Sequence, residues 1–435
     1  MGVDCVVVER EARLGGLIFT DFRNGFLMDG GPDAFLTQKP QATALCQEIG
    51  LGSEMIPTNP DRQKVYVLYA GKLHALPTGM RLTVPTRWLP FLASGLFSWR
   101  GKLRILCERW TPRRMEAEEE SVESFIVRRF GRESLERLGE PMLAGIHCGD
   151  ASRLSMDVLF PRLVSLERRN GSVTRGMIAA GRQGTAFTSL VGGMGRLIEE
   201  LGNKIPTDNL LLEDAVEDVR AEGEGFVAKL ASGKAIHSKA AVVALPIHAS
   251  RELVRRGFPA VAAILDRIRT VSSAVVFHAF ARHDVPHPLD GYGFVVPSAE
   301  SNRLLAATFV STKFPGRAPG DDVLIRTFLG GLKDPAALEL ADNELVDLSR
   351  RELARVLGPL GEPKFSSVVR WPHRTPQVEL GHRTIIEELD RELDETSGLY
   401  VLGNGLKSVG IPDCIGEARA TAKRIAAFME SQSQG

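Results

Sequence analysis

Three short apolar runs, far apart in the chain, set its architecture. Val3 to Val8 is rich in valine and stops at Glu9, Ala240 to Leu245 stops at Pro246, and Tyr400 to Leu402 leads into a glycine-rich stretch, Gly403 to Gly410. Runs this short and this uniformly apolar read as strands of a parallel sheet covered on both faces. When such strands come from the start, middle and end of a chain, the segments between them must fold as bodies inserted into the sheet's connections. The fold is therefore read as α/β, with an interrupted Rossmann-type domain and interleaved insertions.

The inserted segments differ in character. Val65 to Tyr69 and Lys72 to Leu76, joined across Ala70-Gly71, read as a hairpin. From Met80 to about Gly181, leucine, arginine and aromatic residues at helical spacing replace strand alternation, with Thr111-Pro112 and the acidic run Glu116 to Glu120 read as a solvated loop. Strand character returns in Leu210 to Val219, Phe226 to Leu230, Val271 to Phe280, Gly293 to Pro297, Leu304 to Val310 and Val323 to Leu329. Helices are expected at Gln38 to Leu51, after Gly192-Gly193-Met194-Gly195, at Leu338 to Leu357, and at the end of the chain. In that last helix Ile415, Ala418, Ala422, Ile425, Ala426 and Met429 share one face. The division that follows has three parts. Residues 1–60, 187–247 and 396–435 form the dinucleotide-type domain. Residues 61–80 and 248–395 form a β-rich domain, and 81–186 a helical subdomain.

Charge and cysteine usage exclude several classes. Fifty-four basic residues balance 54 acidic ones, without the basic excess of a nucleic-acid binder. Cys5, Cys46, Cys107, Cys148 and Cys414 are odd in number, scattered, and contain no Cys-x-x-Cys pair, so neither a disulfide framework nor a structural metal is expected. This reads as a reduced, cytoplasmic-side protein. The N-terminal run holds Asp4 and no cleavage site, so no signal peptide is read. The apolar stretch Trp88 to Trp99 falls short of the about 20 residues needed to span a bilayer.

Glu9 closes the first strand, where a carboxylate can accept hydrogen bonds from ribose hydroxyls; a plain strand-end glutamate is the competing reading. Arg13-Leu14-Gly15-Gly16 follows, then Met28-Asp29-Gly30-Gly31-Pro32. Adjacent glycines let backbone amides approach a pyrophosphate with no side chain between.

In this order and spacing the elements resemble those of the FAD-containing amine oxidase superfamily. The resemblance sharpens at Gly139-Glu140-Pro141-Met142-Leu143-Ala144-Gly145-Ile146-His147-Cys148-Gly149-Asp150, continuing to Arg153-Leu154-Ser155-Met156. With Leu76-Pro77-Thr78-Gly79, Phe314-Pro315, Arg317-Ala318-Pro319, Phe328-Leu329-Gly330-Gly331 and Val409-Gly410-Ile411-Pro412-Asp413-Cys414-Ile415, it is similar to the oxygen-dependent protoporphyrinogen oxidase family. The resemblance runs from about residue 3 to about residue 430.

It implies a p-hydroxybenzoate hydroxylase-like FAD-binding fold with FAD held non-covalently. Glu9 would bind ribose, Arg10 would be a further cofactor-binding residue, and Arg13, Gly15, Gly16 and Leu17 would lie along the pyrophosphate and ribityl path. Gly31 and Pro32 would lie near the flavin ring, and Val216 would bind adenine through its backbone. Gly403 and Asn404 would meet the pyrophosphate or ribityl chain. Val409, Gly410 and Ile411 would present amides to the pyrimidine edge at a helix N-terminus. For substrate, Arg81 would pair with a propionate, Phe328 would pack on a pyrrole ring, Val295 and Leu305 would form apolar walls, and Gly145 and Gly149 would let a loop approach. His147, Cys148 and Asp150 receive no catalytic role. A free buried cysteine is usually a small hydrophobe, and hydride transfer from a carbon centre to a flavin needs alignment more than a protein base.

The implied activity is oxidation of protoporphyrinogen IX to protoporphyrin IX in haem biosynthesis, with O2 reduced to hydrogen peroxide. Coproporphyrinogen III is the alternative substrate, since both tetrapyrroles bear propionates. A carotene desaturase or amine oxidase fits the C-terminal Gly-Ile-Pro-Asp-Cys-Ile stretch less well, and a non-catalytic porphyrin binder is the reading from another class. The implied partners are the porphyrinogen, O2 and a second copy of the chain. Trp88 to Trp110 has two readings, a peripheral membrane face on the cytoplasmic side or a packed helical subdomain. A Gly-x-Gly-x-x-Gly turn is expected about 20 residues before the acidic strand end, ahead of Val3. On that basis the 435-residue chain is expected to begin past its first strand and to hold FAD weakly, through a misplaced start or a truncation.

Overall fold

A computed structural model describes residues 3–114, 118–181, 187–407 and 409–432. The distant apolar runs become parallel strands, as two separate ribbons. Val7–Val8 pairs with Leu210–Leu211, and Ala241–Val243 pairs with Leu399–Val401. Both are shorter and more open than the sequence suggests. Val6 is 46% exposed and Val242 47% exposed. Full burial is thus corrected in part: among the described residues each of these strands pairs with one other strand, and Val6 and Val242 are open, whereas Val243 and Leu399–Val401 are buried.

A seven-stranded sheet dominates the structure. Its order is Phe365–Pro376, Thr270–Phe280, Val323–Gly330, Ala306–Phe309, Gly291–Val295, Lys64–Tyr69, Lys72–Ala75. All pairings are antiparallel except Gly291–Val295 against Lys64–Tyr69. The expected hairpin supplies its last two strands, and Ala70 and Gly71 turn it with positive φ. The strand Phe365–Pro376 escapes sequence reading because Pro372 and Pro376 break its pattern. It sits at the sheet edge, where a missing N–H is tolerated.

One face of this sheet packs against the helix Asp342–Leu357 through Leu345, Leu348, Leu353 and Leu357. Here His278 is fully buried, its ring hydrogen-bonded to Ser366 at 2.9 Å and Ser349 at 2.8 Å. On the other face Phe277, Leu324, Phe328 and Trp371 meet Phe26 and Met28 of the strand Phe26–Asp29. Strand alternation makes the two faces distinct.

Apart from a small hairpin of two-residue strands, Met80–Arg81 with Val84–Pro85, the named elements among the described residues of 80–181 are helices joined by loops. Phe91, Leu96, Ile105, Phe125, Phe130 and Leu138 form their core. Inside it, fully buried Arg129 pairs with Glu108, whose carboxylate also accepts from Ser172 Oγ and the Val173 and Thr174 amides. A buried charge without such partners would cost several kcal/mol. The acidic run expected to be solvated is corrected in part. Residues 116 and 117 lie outside the described residues, but Glu120 is buried, pairing with Arg128 at 2.8 Å. Phe91, Phe97 and Ile105 of the Trp88 to Trp110 segment enter the subdomain core, while Leu89, Trp99, Leu103 and Trp110 stay exposed. Among the described residues no helix is long and apolar enough to cross a membrane.

The closing helix, Ile411–Gln432, packs against Pro40–Glu48. Ile411 and Ile415 join the Phe35 core, and of the expected face Ile415, Ala422, Ile425, Ala426 and Met429 are half-buried while Ala418 is exposed; Pro412 and Thr421 are the fully buried positions.

Candidate active site

Two glycine loops are brought into contact by close backbone approach. A Cβ placed on Gly31 would lie 1.8 Å from the Leu17 carbonyl oxygen, and one on Gly30 would lie 2.1 Å from the Phe19 ring. Only glycine fits at either position. The Gly30 amide donates to the Phe19 carbonyl at 3.1 Å, and the Ile18 amide donates to Gly15 at 2.9 Å. Arg13 folds onto its own loop: one guanidinium nitrogen donates to the Gly16 carbonyl at 3.0 Å, and the group stacks over Phe19 at 4.3 Å. Gly16 is exposed, and a Cβ there would touch nothing within 4 Å. Space is therefore open on the outer side of this loop.

Glu9 and Val216 are also drawn together. The Glu9 amide donates to Leu211, the Asp214 amide donates to the Glu9 carbonyl, and Ala215 accepts from Ala231. Arg10 is exposed and pairs with Glu11 at 3.0 Å. Leu402 joins Val243 backbone to backbone, and Gly403 faces the Leu245 carbonyl. Beside it, the buried Asn404 Oδ1 has no hydrogen-bond partner. Gly410 is exposed at the N-terminus of the 22-residue closing helix, next to Val409 and Ile411. Open glycine loops, an orphaned amide oxygen and a long helix's N-terminus suit a dinucleotide bearing phosphates and polar ring edges.

The substrate-side residues gather in part. Leu305 and Phe328 share a cluster with Cys148 and Val271, and the Leu305 amide donates to the Phe328 carbonyl at 2.8 Å. Gly149 lies against Gln377, and a Cβ on Gly145 would sit 3.6 Å from Ala306. A five-residue π-helical segment, Leu135–Gly139, precedes the helix Glu140–His147 that carries Gly145. The His147 side chain lies outside the described residues. Burial pushes the Cys148 thiol up to about 11, against a hydrogen bond from Ser273 that works the other way, so it is a poor nucleophile at neutral pH. Val295 turns toward the helical core instead. Arg81 is half-buried in its small hairpin, with no hydrogen-bond or ion-pair partner among the described residues.

Sequence reading missed a buried charge cluster beneath the Gly30–Pro32 loop. Asp29 accepts from Thr20 at 2.6 Å and from the Met194 amide at 2.8 Å, and faces Arg317 at 3.4 Å. Asp33 pairs with Lys313 at 2.7 Å. Burial raises Asp29 above the usual carboxylate range. At Asp33 burial acts the same way, but Lys313 and Arg326 outweigh it and hold the group low. Arg326 was legible in principle, since it lies two residues before Phe328 on one strand and so shares its face.

These features are those of a flavoenzyme. The chain belongs to the flavin containing amine oxidoreductase family, whose model matches residues 1–426. Coproporphyrinogen III oxidase of Bacillus subtilis (strain 168) is 30% identical over 99% of this chain and 93% of its own length. Mitochondrial protoporphyrinogen oxidase of Nicotiana tabacum is 25% identical over 99% of this chain and 92% of its own. A crystal structure from Exiguobacterium sp. 255-15, named after protoporphyrinogen oxidase, superposes with a TM-score of 0.86 at 26% identity, covering 98% of this chain and 93% of that one.

Proposed function

We propose that this chain oxidises a porphyrinogen to the porphyrin in haem biosynthesis, using non-covalently bound FAD and O2. Each porphyrinogen loses six electrons and six protons in three two-electron steps, and three O2 become three hydrogen peroxide. The bound flavin supplies the two-electron acceptor that O2 reoxidises.

One observation carries the reading. Trp371, on the sheet face that bears Phe328, donates its indole N–H to the Gly30 carbonyl, so the flavin-side loop is tied to the substrate-side wall. The chain's own residues then have distinct tasks. Gly15, Gly16, Gly31 and the Gly410–Ile411 backbone would hold the cofactor, with Glu9 and Val216 at the adenosine end. Phe328 and Leu305 would present an apolar wall that aligns the macrocycle and excludes water. Arg81, without a hydrogen-bond or ion-pair partner among the described residues, would take a propionate. The three-part division into 1–60 with 187–247 and 396–435, 61–80 with 248–395, and 81–186 belongs to the same proposal.

The two substrates are separated by turnover. Porphyrins fluoresce and porphyrinogens do not, so fluorescence growth with each porphyrinogen, FAD and air is the test. Fluorescence growth no faster than autoxidation with both, with FAD bound, would leave a porphyrin binder instead. Acid precipitation that releases all the flavin supports non-covalent attachment. A peripheral membrane contact through Leu89, Trp99, Leu103 and Trp110 is supported by their exposure beside Arg100 and Arg109. Co-sedimentation with anionic vesicles checks it.

A further inference from the structure

Arg326 is the structure's unexplained charge. It is 5% exposed, on the central strand Val323–Gly330. Its Nε is buried without a partner, and its guanidinium makes no hydrogen bond or ion pair among the described residues. Its close neighbours are ring faces, Phe328 at 4.6 Å and Phe277 at 5.6 Å, while Asp33 and Asp29 act on it only from beyond ion-pair distance. Every other cation of the cluster is paired: Lys313 with Asp33, and Arg317 with Asp29, Ser189 Oγ and the Leu190 carbonyl. Three cations thus meet two carboxylates, and one positive charge is left over. Burial lowers the Arg326 pKa, but not enough to discharge a guanidinium, which stays protonated in proteins. An uncompensated buried charge is costly unless a partner completes it.

We propose that the partner is a carboxylate of the substrate: Arg326 binds a propionate of the pyrrole that packs on Phe328. This rests on the porphyrinogen reading above. Residues two apart on a strand project from the same face about 6.6 Å from one another. A pyrrole on the Phe328 ring therefore extends a two-carbon arm along the strand toward the guanidinium. The fork of an arginine takes a carboxylate through two parallel N–H···O bonds. One carboxylate also closes the charge balance of the cluster. Arg81 lies on a different element, the Met80–Arg81 strand, so the two arginines would hold propionates at separate positions of the macrocycle. Coproporphyrinogen III carries propionates on all four pyrroles, whereas protoporphyrinogen IX carries them on two. Arg326 is thereby a specificity residue that favours the substrate richer in carboxylates.

The test uses Arg326→Met and Arg326→Lys in the full chain with FAD. Arg326→Met is expected to lower kcat/KM for coproporphyrinogen III by about 10- to 100-fold, mainly through KM, with a much smaller effect on protoporphyrinogen IX. Arg326→Lys should recover part of it. Binding of coproporphyrin III and of its tetramethyl ester, read by porphyrin fluorescence, needs no turnover. The parent chain should prefer the acid over the ester, and Arg326→Met should lose that preference while keeping its thermal midpoint and flavin content. Equal losses on both substrates, loss of flavin, or an unchanged acid-to-ester preference would each overturn the assignment. A parent chain that turns over neither porphyrinogen defeats the proposed function, yet the acid-to-ester comparison still decides whether Arg326 binds a carboxylate.

Discussion

Trp371 donates its indole N–H to the Gly30 carbonyl oxygen across 3.0 Å, and its ring meets Phe19 edge-on at 5.9 Å. Phe19 in turn carries the Arg13 guanidinium, so one tryptophan on the edge strand clamps both glycine loops. Trp371→Phe keeps the ring and removes the donor. It should cost about 0.5–1.5 kcal/mol of stability, and weaken flavin binding by a comparable factor. Chemical denaturation and flavin titration of the variant measure the two together; an unchanged flavin affinity would separate the clamp from the cofactor.

Gly31 and Gly16 are neighbours in role but not in space requirements. Gly31→Ala drives a Cβ into the Leu17 backbone, which cannot give way as a flexible side chain could. Gly16 has a φ of 53° and open surroundings, so Gly16→Ala pays only for a left-handed conformation, about 1–2 kcal/mol. Flavin affinity, measured by titration with added FAD against the parent chain, should be lost in the first variant and largely kept in the second.

Arg81→Ala should reduce kcat/KM by about 10- to 150-fold while flavin affinity stays constant, since charge-assisted bonds are worth about 1.5–3 kcal/mol. Arg256, an exposed arginine remote from these loops in sequence, is the control. Equal, small effects of Arg81→Ala and Arg256→Ala on steady-state kinetics would return Arg81 to the surface.

His278 is held neutral between two serine hydroxyls, and burial, aided by Arg350, pulls its pKa down to about 3. The unfolded chain binds this proton near pH 6.5, the folded chain only near 3. Between these values the unfolded state holds more protons, so stability falls as pH drops. The His278 contribution is complete above pH 6.5 and lost progressively toward 3. Thermal midpoints from pH 7 to 4 should therefore fall more steeply for the parent than for His278→Gln.

Cys148 and Cys46 are buried, with both thiols raised in pKa by burial, whereas Cys5 and Cys107 are exposed. Alkylation of the native protein at pH 8, followed by peptide mass spectrometry, should label Cys5 and Cys107 and spare Cys148. Rapid labelling of Cys148 would mean that its loop opens and that the Leu305–Phe328 wall is not persistent.

Local chemistry made much of this molecule readable from its sequence. Ala70-Gly71 specifies a tight turn, Pro40 and Gly50 bracket a helix, and short runs rich in β-branched and aromatic residues mark Thr270–Phe280 and Val323–Gly330, because each of these signals acts over a few bonds. The loops Arg13–Leu17 and Gly30–Pro32 were readable as glycine-dependent for the same reason. What tertiary structure alone decided is where charges are left unpaired. Asp29, Asp33, Lys313, Arg317 and Arg326 come from three separate stretches, and their balance exists only once the sheet face closes over the Gly30 loop. The burial of Glu120, the openness of Val6 and Val242, and the edge strand carrying Trp371 were likewise set by which surfaces found partners. Burial and charge compensation are sums over neighbours distant in sequence, and no residue carries them alone.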